Sequence, residues 1–286
     1  MIKPLLDVHT HTIVSGHAYS TLQEMADAAR QKGLHILGMA EHGPSIQGAC
    51  SPMYFRNMHV IPKEINGVQI LVGAEINLLD CTGKLDIDES TIDRLMIRIV
   101  GIHNACFRRG SVDENTDGLL KVIRNPKIDI ISHPADGTAE LHLEKIVLEA
   151  KQHGILLEVN NSSLNPNRNK EHAWEYNREL LRLCKKYELM VILGSDAHIS
   201  YDVAKYDLVF KLLEEENFPD ALVINDRPDL FREILIRNRE RDKSVFVCVK
   251  NCFSYFYYLL YCQVVVTINL PSPRQKYMLR HHIVSI

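Results

Sequence analysis

Asp7-Val8-His9-Thr10-His11, with His17 six residues beyond His11, places two imidazoles two positions apart behind a short apolar run, Leu5-Leu6. If that run is the end of a buried strand, side chains alternate with a period of two and His9 and His11 project to the same side. Two neutral imidazoles held together can chelate a divalent metal. A His-x-His pair alone is a weak signal, because paired histidines also serve as surface or core residues. The rest of the chain strengthens it by supplying ligand-type residues at matching places. Glu41-His42 follow the apolar run 36–39, Glu75 follows 68–74, His103 follows 97–102 and His133 follows 128–132. Asp196 and His198 come after the run 190–193 and repeat the i, i+2 spacing of the first motif.

The elements that must position these residues are legible as a rhythm of strands and helices. Ser20 with Gln23 and Thr21 with Glu24 give two overlapping capping boxes, and Gly33 supplies the stop, which predicts a helix of about three turns. Residues 43–67 contain three prolines and no helical period, so a long loop of the kind kept for a lid or binding surface is expected, carrying Tyr54, Arg56 and His59. Helices are predicted over 143–153 with Gly154 as stop, 171–187, 206–216, and 228–237 with Asp226 as cap and Pro228 near its first turn. A strand over 155–159 ends in Asn160-Asn161-Ser162-Ser163, which is polar without an obvious ligand. Seven strand-like runs thus alternate with helices, and six deliver His, Glu or Asp at their C-terminal ends. In a (β/α) barrel those ends open onto one face, where such folds build their sites, so one shared pocket is expected. His35, His59, His142, His153, His172, His281 and His282 fall outside this pattern and are read as surface or satisfied core residues.

Composition fits one large core. The chain has 286 residues, 46% of them hydrophobic, enough for a single α/β domain of the barrel type. A net charge of −3 argues against a surface that coats nucleic acid. The seven cysteines, an odd number, include no C-x-x-C pair, which points to reduced thiols and away from a thiolate zinc site. The first residues lack the pattern of a signal peptide, so a cytoplasmic location is expected. No P-loop or G-x-G-x-x-G cradle implies a nucleotide cofactor.

Taken together, His9-Thr10-His11 with His17, Glu41-His42, Gly73-Ala74-Glu75, Gly101-Ile102-His103, Ser132-His133-Pro134 and Ser195-Asp196-Ala197-His198 resemble the polymerase and histidinol phosphatase (PHP) superfamily, and more closely its small YcdX-type phosphatases. The resemblance runs from Leu5 to about Arg237, with Glu41 standing where the family commonly has Asp. It implies a distorted (β/α)7 barrel holding three divalent ions at the C-terminal ends of the strands, zinc first, with manganese or iron(II) as the other candidates. Carried over by residue, it places one ion on His9, His11, Glu75 and Asp196, a second on His103, His133 and the other oxygen of Glu75, and a third on His17, His42 and His198. Glu75, Asp196 and His198 are the residues expected to act in catalysis. A carboxylate is the side chain that can bridge two cations, and a metal-activated hydroxide could attack phosphorus in line without a Ser or Cys nucleophile. Asp7 and Glu41 are expected to support ligating histidines. Arg168 resembles the basic residue that similar proteins place near the substrate phosphate, a role suited to a guanidinium, and Arg108 and Arg109 are weaker candidates.

The expected function is therefore a metal-dependent phosphoesterase acting on a small phosphorylated metabolite or a nucleotide end. An amidohydrolase-like metalloenzyme would share the His-x-His and late Asp, but would carry a modifiable Lys after the fourth strand where this chain has Glu75 on the third. A non-catalytic PHP module is the other alternative. Oligomeric state is not set by the sequence. Beyond 242 the composition changes: residues 243–286 hold five Lys or Arg and no acid, and residues 252–270 are uncharged. Three readings stay open for this segment: an extension from an altered reading frame, a membrane anchor, or an added packing element. The domain boundary is placed at 242, and a chain ending there is expected to fold and bind its metals.

Overall fold

The apolar runs form strands because each is buried on both faces, which suits parallel pairing under a layer of helices. The computed structural model describes residues 2–168, 170 and 172–243. In chain order the elements are β1 (Leu6–Thr10), α1 (Leu22–Gln31), β2 (Ile36–His42), α2 (Pro52–Asn57), β3 (Glu64–Ile65), β4 (Val68–Leu78), α3 (Glu89–Ile92), β5 (Ile97–Ile102), α4 (Val112–Arg124), β6 (Ile130–Ile131), α5 (Leu143–His153), β7 (Leu156–Asn160), α6 (Ala173–Lys186), β8 (Val191–Gly194) and α7 (Asp207–Glu215). Residues 228–243 form a further helix, α8. The sheet order is β1-β2-β4-β5-β6-β7-β8, with β3 paired antiparallel to β4 and every other pair parallel.

The sheet curls until its first and last strands nearly meet, giving a distorted (β/α)7 barrel. At the C-terminal end of the strands the seam is closed directly: His11 N–H donates to Ala197 O at 2.9 Å and Asp196 N–H to His9 O at 2.9 Å. At the other end Asn225 fills the gap, its side chain bonding Leu193 on β8 and Leu6 on β1. The barrel interior is apolar in its lower half, where Leu6, Val8, Ile36, Leu71, Ile97, Ile99, Ile130, Leu156 and Ile192 meet Phe231, Ile234 and Leu235 of α8. That helix plugs the bottom. Burying these residues removes several aliphatic and aromatic side chains from water, each worth about 1.5–3 kcal/mol. At the same end Arg98 is fully buried and forms a two-bond pair with Asp129, both bonds at 3.0 Å.

Helix ends follow the sequence signals. The capping box at α1 is Thr21 with Glu24, and an equivalent box, Ser111 with Glu114, starts α4. Gly154 ends α5 in the left-handed region at φ 67°, which favours glycine. Three expectations need correction. The segment 43–67 is not a structureless loop; it holds α2, a 3-10 turn over Met58–Val60 and β3. The first three long strands run further than their apolar cores, so that His9, His42 and Glu75 lie within β1, β2 and β4. The helix expected to stop at 237 continues to 243. No helix among the described residues is long and apolar enough to cross a membrane. The proposed tail beyond 243 lies outside the described residues.

Candidate metal centre

Most strands present apolar residues to the barrel interior low down and a ligand-type residue near the top. Ala40 precedes His42, Gly73 precedes Glu75, Gly101 precedes His103 and Gly194 precedes Asp196 at this spacing. The small residues make room. A Cβ on Gly101 would stand 2.7 Å from Glu75 Oε1, and one on Gly194 would stand 1.7 Å from Glu158 Oε1. On β1 the register shifts between Asp7 and Thr10, and such a bulge changes which side chains face inward. Leu6 and Val8 join the barrel interior below the shift, while His9 and His11 face the site above it.

Glu75 occupies the middle. Its Oε1 lies 2.8 Å from His133 Nε2 and 3.2 Å from His103 Nε2, and accepts from Ser132 Oγ at 2.7 Å. Its Oε2 lies 3.0 Å from His42 Nδ1, 3.4 Å from His9 Nε2 and 3.7 Å from His11 Nε2. The two oxygens thus face different histidine sets. Asp196 Oδ1 lies 3.2 Å from His11 Nε2 and 3.7 Å from His9 Nε2. His17 and His198 bring their Nε2 atoms to 3.0 Å. The structure therefore brings His9, His11, His17, His42, Glu75, His103, His133, Asp196 and His198 into one cluster. Within it, His11 with His42 and His198, His9 with His11 and Asp196, and His42 with Glu75 and His103 each converge closely enough to share an ion.

The proton positions decide what these contacts mean. His9 Nδ1 donates to Glu158 Oε1 at 2.6 Å, and His103 Nδ1 to Asn77 Oδ1 at 2.7 Å. Ser15 Oγ gives its one proton to Glu41 Oε2 at 2.6 Å, so it accepts from His11 Nδ1 at 3.1 Å. His17 and His198 donate through Nδ1 to the carbonyls of Ser15 and Asp196, at 3.2 and 2.9 Å. With Nδ1 protonated, a neutral ring carries a lone pair on Nε2. His9 Nε2 and His11 Nε2 then face each other at 3.1 Å, and His17 Nε2 faces His198 Nε2 at 3.0 Å. Lone pairs so placed repel unless a cation or proton lies between them. His42 Nδ1 and Glu75 Oε2 are also buried with no hydrogen-bond partner among the described residues. The nitrogen and oxygen donors, with no thiolate, fit a divalent metal of the zinc, manganese or iron(II) type.

The electrostatics show the same demand for positive charge. Burial opposes a charged His9, but Glu158, Glu75 and Asp196 outweigh it and raise its pKa well above the usual imidazole range. Burial likewise opposes a charged His133, yet Asp136 and Glu75 hold it up to about 10. Burial also works against ionised Glu75 and Asp196; the histidines beside them prevail and keep both well below the usual carboxylate range. Burial and the neighbouring His42 push His11 well down.

Of the two supporting carboxylates, Glu41 bonds Thr12 Oγ1 at 2.6 Å and Ser15 Oγ, and so reaches His11 through the serine. Asp7 departs from expectation, since its hydrogen-bond partners among the described residues include no histidine: it is bonded to Ser195 Oγ at 2.5 Å and to Ala204 N–H at 2.8 Å, bracing the turn that carries Asp196. Arg168 is exposed and lines a cleft of about 280 Å³ that also reaches Asp196 and His198. Arg108 and Arg109 are exposed beyond His103, with Arg109 bonded to Asn104. His59, His142, His153 and His172 bond local partners away from the cluster, as the sequence reading holds.

This geometry can be set beside known proteins. A PHP domain profile matches residues 7–240. The chain belongs to the PHP family. A protein of Acetivibrio thermocellus named probable phosphatase is 40% identical over 240 residues, covering 84% of this chain and 98% of that one. A probable phosphatase of Clostridium botulinum is 38% identical over 244 residues, covering 85% and 99%. Among solved structures, the histidinol phosphate phosphatase of Lactococcus lactis, complexed with zinc, L-histidinol and phosphate, shares the fold with a TM-score of 0.53 at 18% identity, covering 76% of this chain and 95% of that one. The likeness shows the fold alone.

In this PHP domain the residue that sequence reasoning passes over is Glu158. It lies within β7, buried, and accepts from three donors in the site: His9 Nδ1, His133 N–H at 2.9 Å and Asn160 Nδ2 at 3.1 Å. The signal was present, since an acid inside an otherwise apolar strand must find partners. Asn77 and Asp136 were also missed; Asp136 lies 3.3 Å from His133 Nδ1 and is bonded to Lys170.

Proposed function

We propose that the chain is a metal-dependent phosphatase that hydrolyses monoesters of small phosphorylated molecules, using three divalent ions held by the nine clustered residues. The observation that carries this is the division of Glu75, one carboxylate whose two oxygens face two separate sets of imidazoles. His9, His11, Asp196 and Glu75 Oε2 would hold one ion, His103, His133 and Glu75 Oε1 a second, and His17, His42 and His198 a third. Bound there, the ions supply Lewis-acid chemistry: they acidify water and offset the negative charge of a phosphoryl group.

The chain's own residues do the remaining work. Acceptors at Nδ1 fix the tautomer of His9, His11, His17, His103 and His198 and so aim each Nε2 into the site. Arg168, on the rim of the cleft, is placed to take an equatorial oxygen of the phosphate, and a guanidinium can do so with two bonds. Burial of the cluster lowers the local dielectric, which strengthens every charge interaction within it. These functions all fall within residues 1–242, which we take as the catalytic domain. Family membership and the glutamate at the centre both favour this reading over an amidohydrolase-like one.

The test is release of inorganic phosphate by the full chain after reconstitution with zinc, manganese or iron(II), with metal content measured on the same sample. Turnover that rises with metal content and reaches its maximum near three ions per chain supports the proposal. One ion or none at full activity would sink the trinuclear arrangement, and no phosphate release with any metal would sink the phosphatase reading.

A further inference from the structure

The cleft beside Asp196 and His198 has a composition that selects among phosphorylated molecules. Its walls combine Arg168 and Lys205 as donors, Asp202 and Asp207 as acceptors, and Ser162 and Asn165, which can act as both. The apolar contribution comes from Pro166 and Leu208; among the described residues no Phe, Tyr or Trp lines it, and its one aromatic ring, that of His198, belongs to the proposed metal cluster. Lys205 is paired with Asp202 at 3.0 Å, so the two reach the cleft as a donor beside an acceptor. Asp207, in the first turn of α7, stands near Lys205 and adds a second acceptor.

Resting on the phosphatase reading, we infer that this cleft holds the alcohol part of the substrate and that this part is a small polyol or sugar, not a nucleoside. Three observations converge. The volume, about 280 Å³, falls just below the range typical of drug-sized ligands. Carbohydrate hydroxyls both donate and accept at every carbon, which matches walls where donors and acceptors alternate. A nucleobase is bound by stacking on aromatic faces or in a largely apolar slot, and this lining offers no Phe, Tyr or Trp face and only two apolar residues. Tyr201, next to Asp202 in sequence, is 83% exposed and is not part of the lining.

Ribose 5-phosphate and adenosine 5′-monophosphate give a direct test, because they share the phosphate and the ribose and differ in the base. With the metal-loaded full chain, kcat/KM for ribose 5-phosphate is expected to exceed that for the nucleotide at least tenfold, and to exceed that for p-nitrophenyl phosphate. In Lys205→Met and Asp207→Ala, checked for wild-type metal content, the ratio of ribose 5-phosphate to p-nitrophenyl phosphate should fall at least fivefold. Independently of turnover, saturation-transfer NMR should show ribose bound to the wild-type chain and adenosine not bound. A nucleotide hydrolysed as well as the sugar phosphate, or variants that slow both substrates in parallel, would overturn the inference while leaving the phosphatase reading intact. Hydrolysis of p-nitrophenyl phosphate alone would do the same. Failure to hydrolyse any of the three would overturn both.

Discussion

Glu158 Oε1 lies 2.6 Å from His9 Nδ1, a contact that joins β7 to β1 across 149 residues of chain. Both carboxylate oxygens are committed, since Oε2 accepts from His133 N–H and Asn160 Nδ2. A glutamine could satisfy one side only, presenting an NH₂ to a donor on the other. Glu158→Gln is therefore expected to weaken metal binding by about 10–100-fold, the scale usual for partners of ligating histidines. Competition with a chelator of known affinity measures this, and an unchanged affinity would show that Glu158 does not orient His9.

Glu75 and Arg168 should separate by kind of defect. Glu75→Gln is expected to lose bound metal and nearly all turnover, because one side chain faces both histidine sets. Arg168→Ala should keep its metal and mainly raise KM, as loss of a phosphate clamp does. Metal analysis and steady-state kinetics on both variants decide it; equal losses in kcat with metal content intact would contradict this division of roles.

Gly16 and Gly48 touch backbone to backbone where the loop carrying Ser15 and His17 meets the segment after β2. A Cβ on Gly16 would stand 2.3 Å from the carbonyl of Gly48, whereas one on Gly48 would meet Gly16 at 3.5 Å. Both residues have φ +85°, so each alanine carries backbone strain, and only Gly16→Ala adds a clash. Gly16→Ala should lower the bound metal by about one ion per chain through displacement of His17, whereas Gly48→Ala should retain it. Metal counting on the folded variants checks the contrast.

The thiols provide a pH signature. Burial raises Cys184 to about 12, and burial with the nearby Asp86 and Glu75 raises Cys106 to about 11. The neutral thiol is thus favoured in the fold. Its contribution to stability is complete below the ordinary thiol pKa near 9 and is lost as pH rises through the folded values. Peptide-resolved alkylation should show both residues reacting slowly at pH 8 and still accelerating above pH 10. A plateau near pH 9 would contradict the shift.

Much of the site was legible because a parallel barrel converts sequence position into space: a polar residue at the end of an apolar run arrives at one face. His42, Glu75 and His103 were found this way. Glu158 is not legible this way, because it interrupts its apolar run, with Val159 after it, and does not follow the run. The bulge in β1 was also invisible, since Leu6, Val8, His9 and His11 do not share one period-two face and only the register of β2 reveals the extra residue. Residues 52–57 read as loop because six residues are too few to show a helical period. Glu41 reaches His11 and not its chain neighbour His42, because neighbours on a strand point to opposite sides.

The α8 plug has a consequence for how the molecule comes into being. Phe231, Ile234 and Leu235 complete an interior whose other members begin at Leu6, and Asn225 closes the seam beside β1. A ribosome delivers these pieces after every strand of the barrel. Until they emerge, the lower inner faces of those strands stay open to water or to other chains, although Asp196 and the other clustered residues have already been made. Closure of the barrel floor is therefore a late event in synthesis, and the interior left open until then is the part of the growing polypeptide most exposed to aggregation.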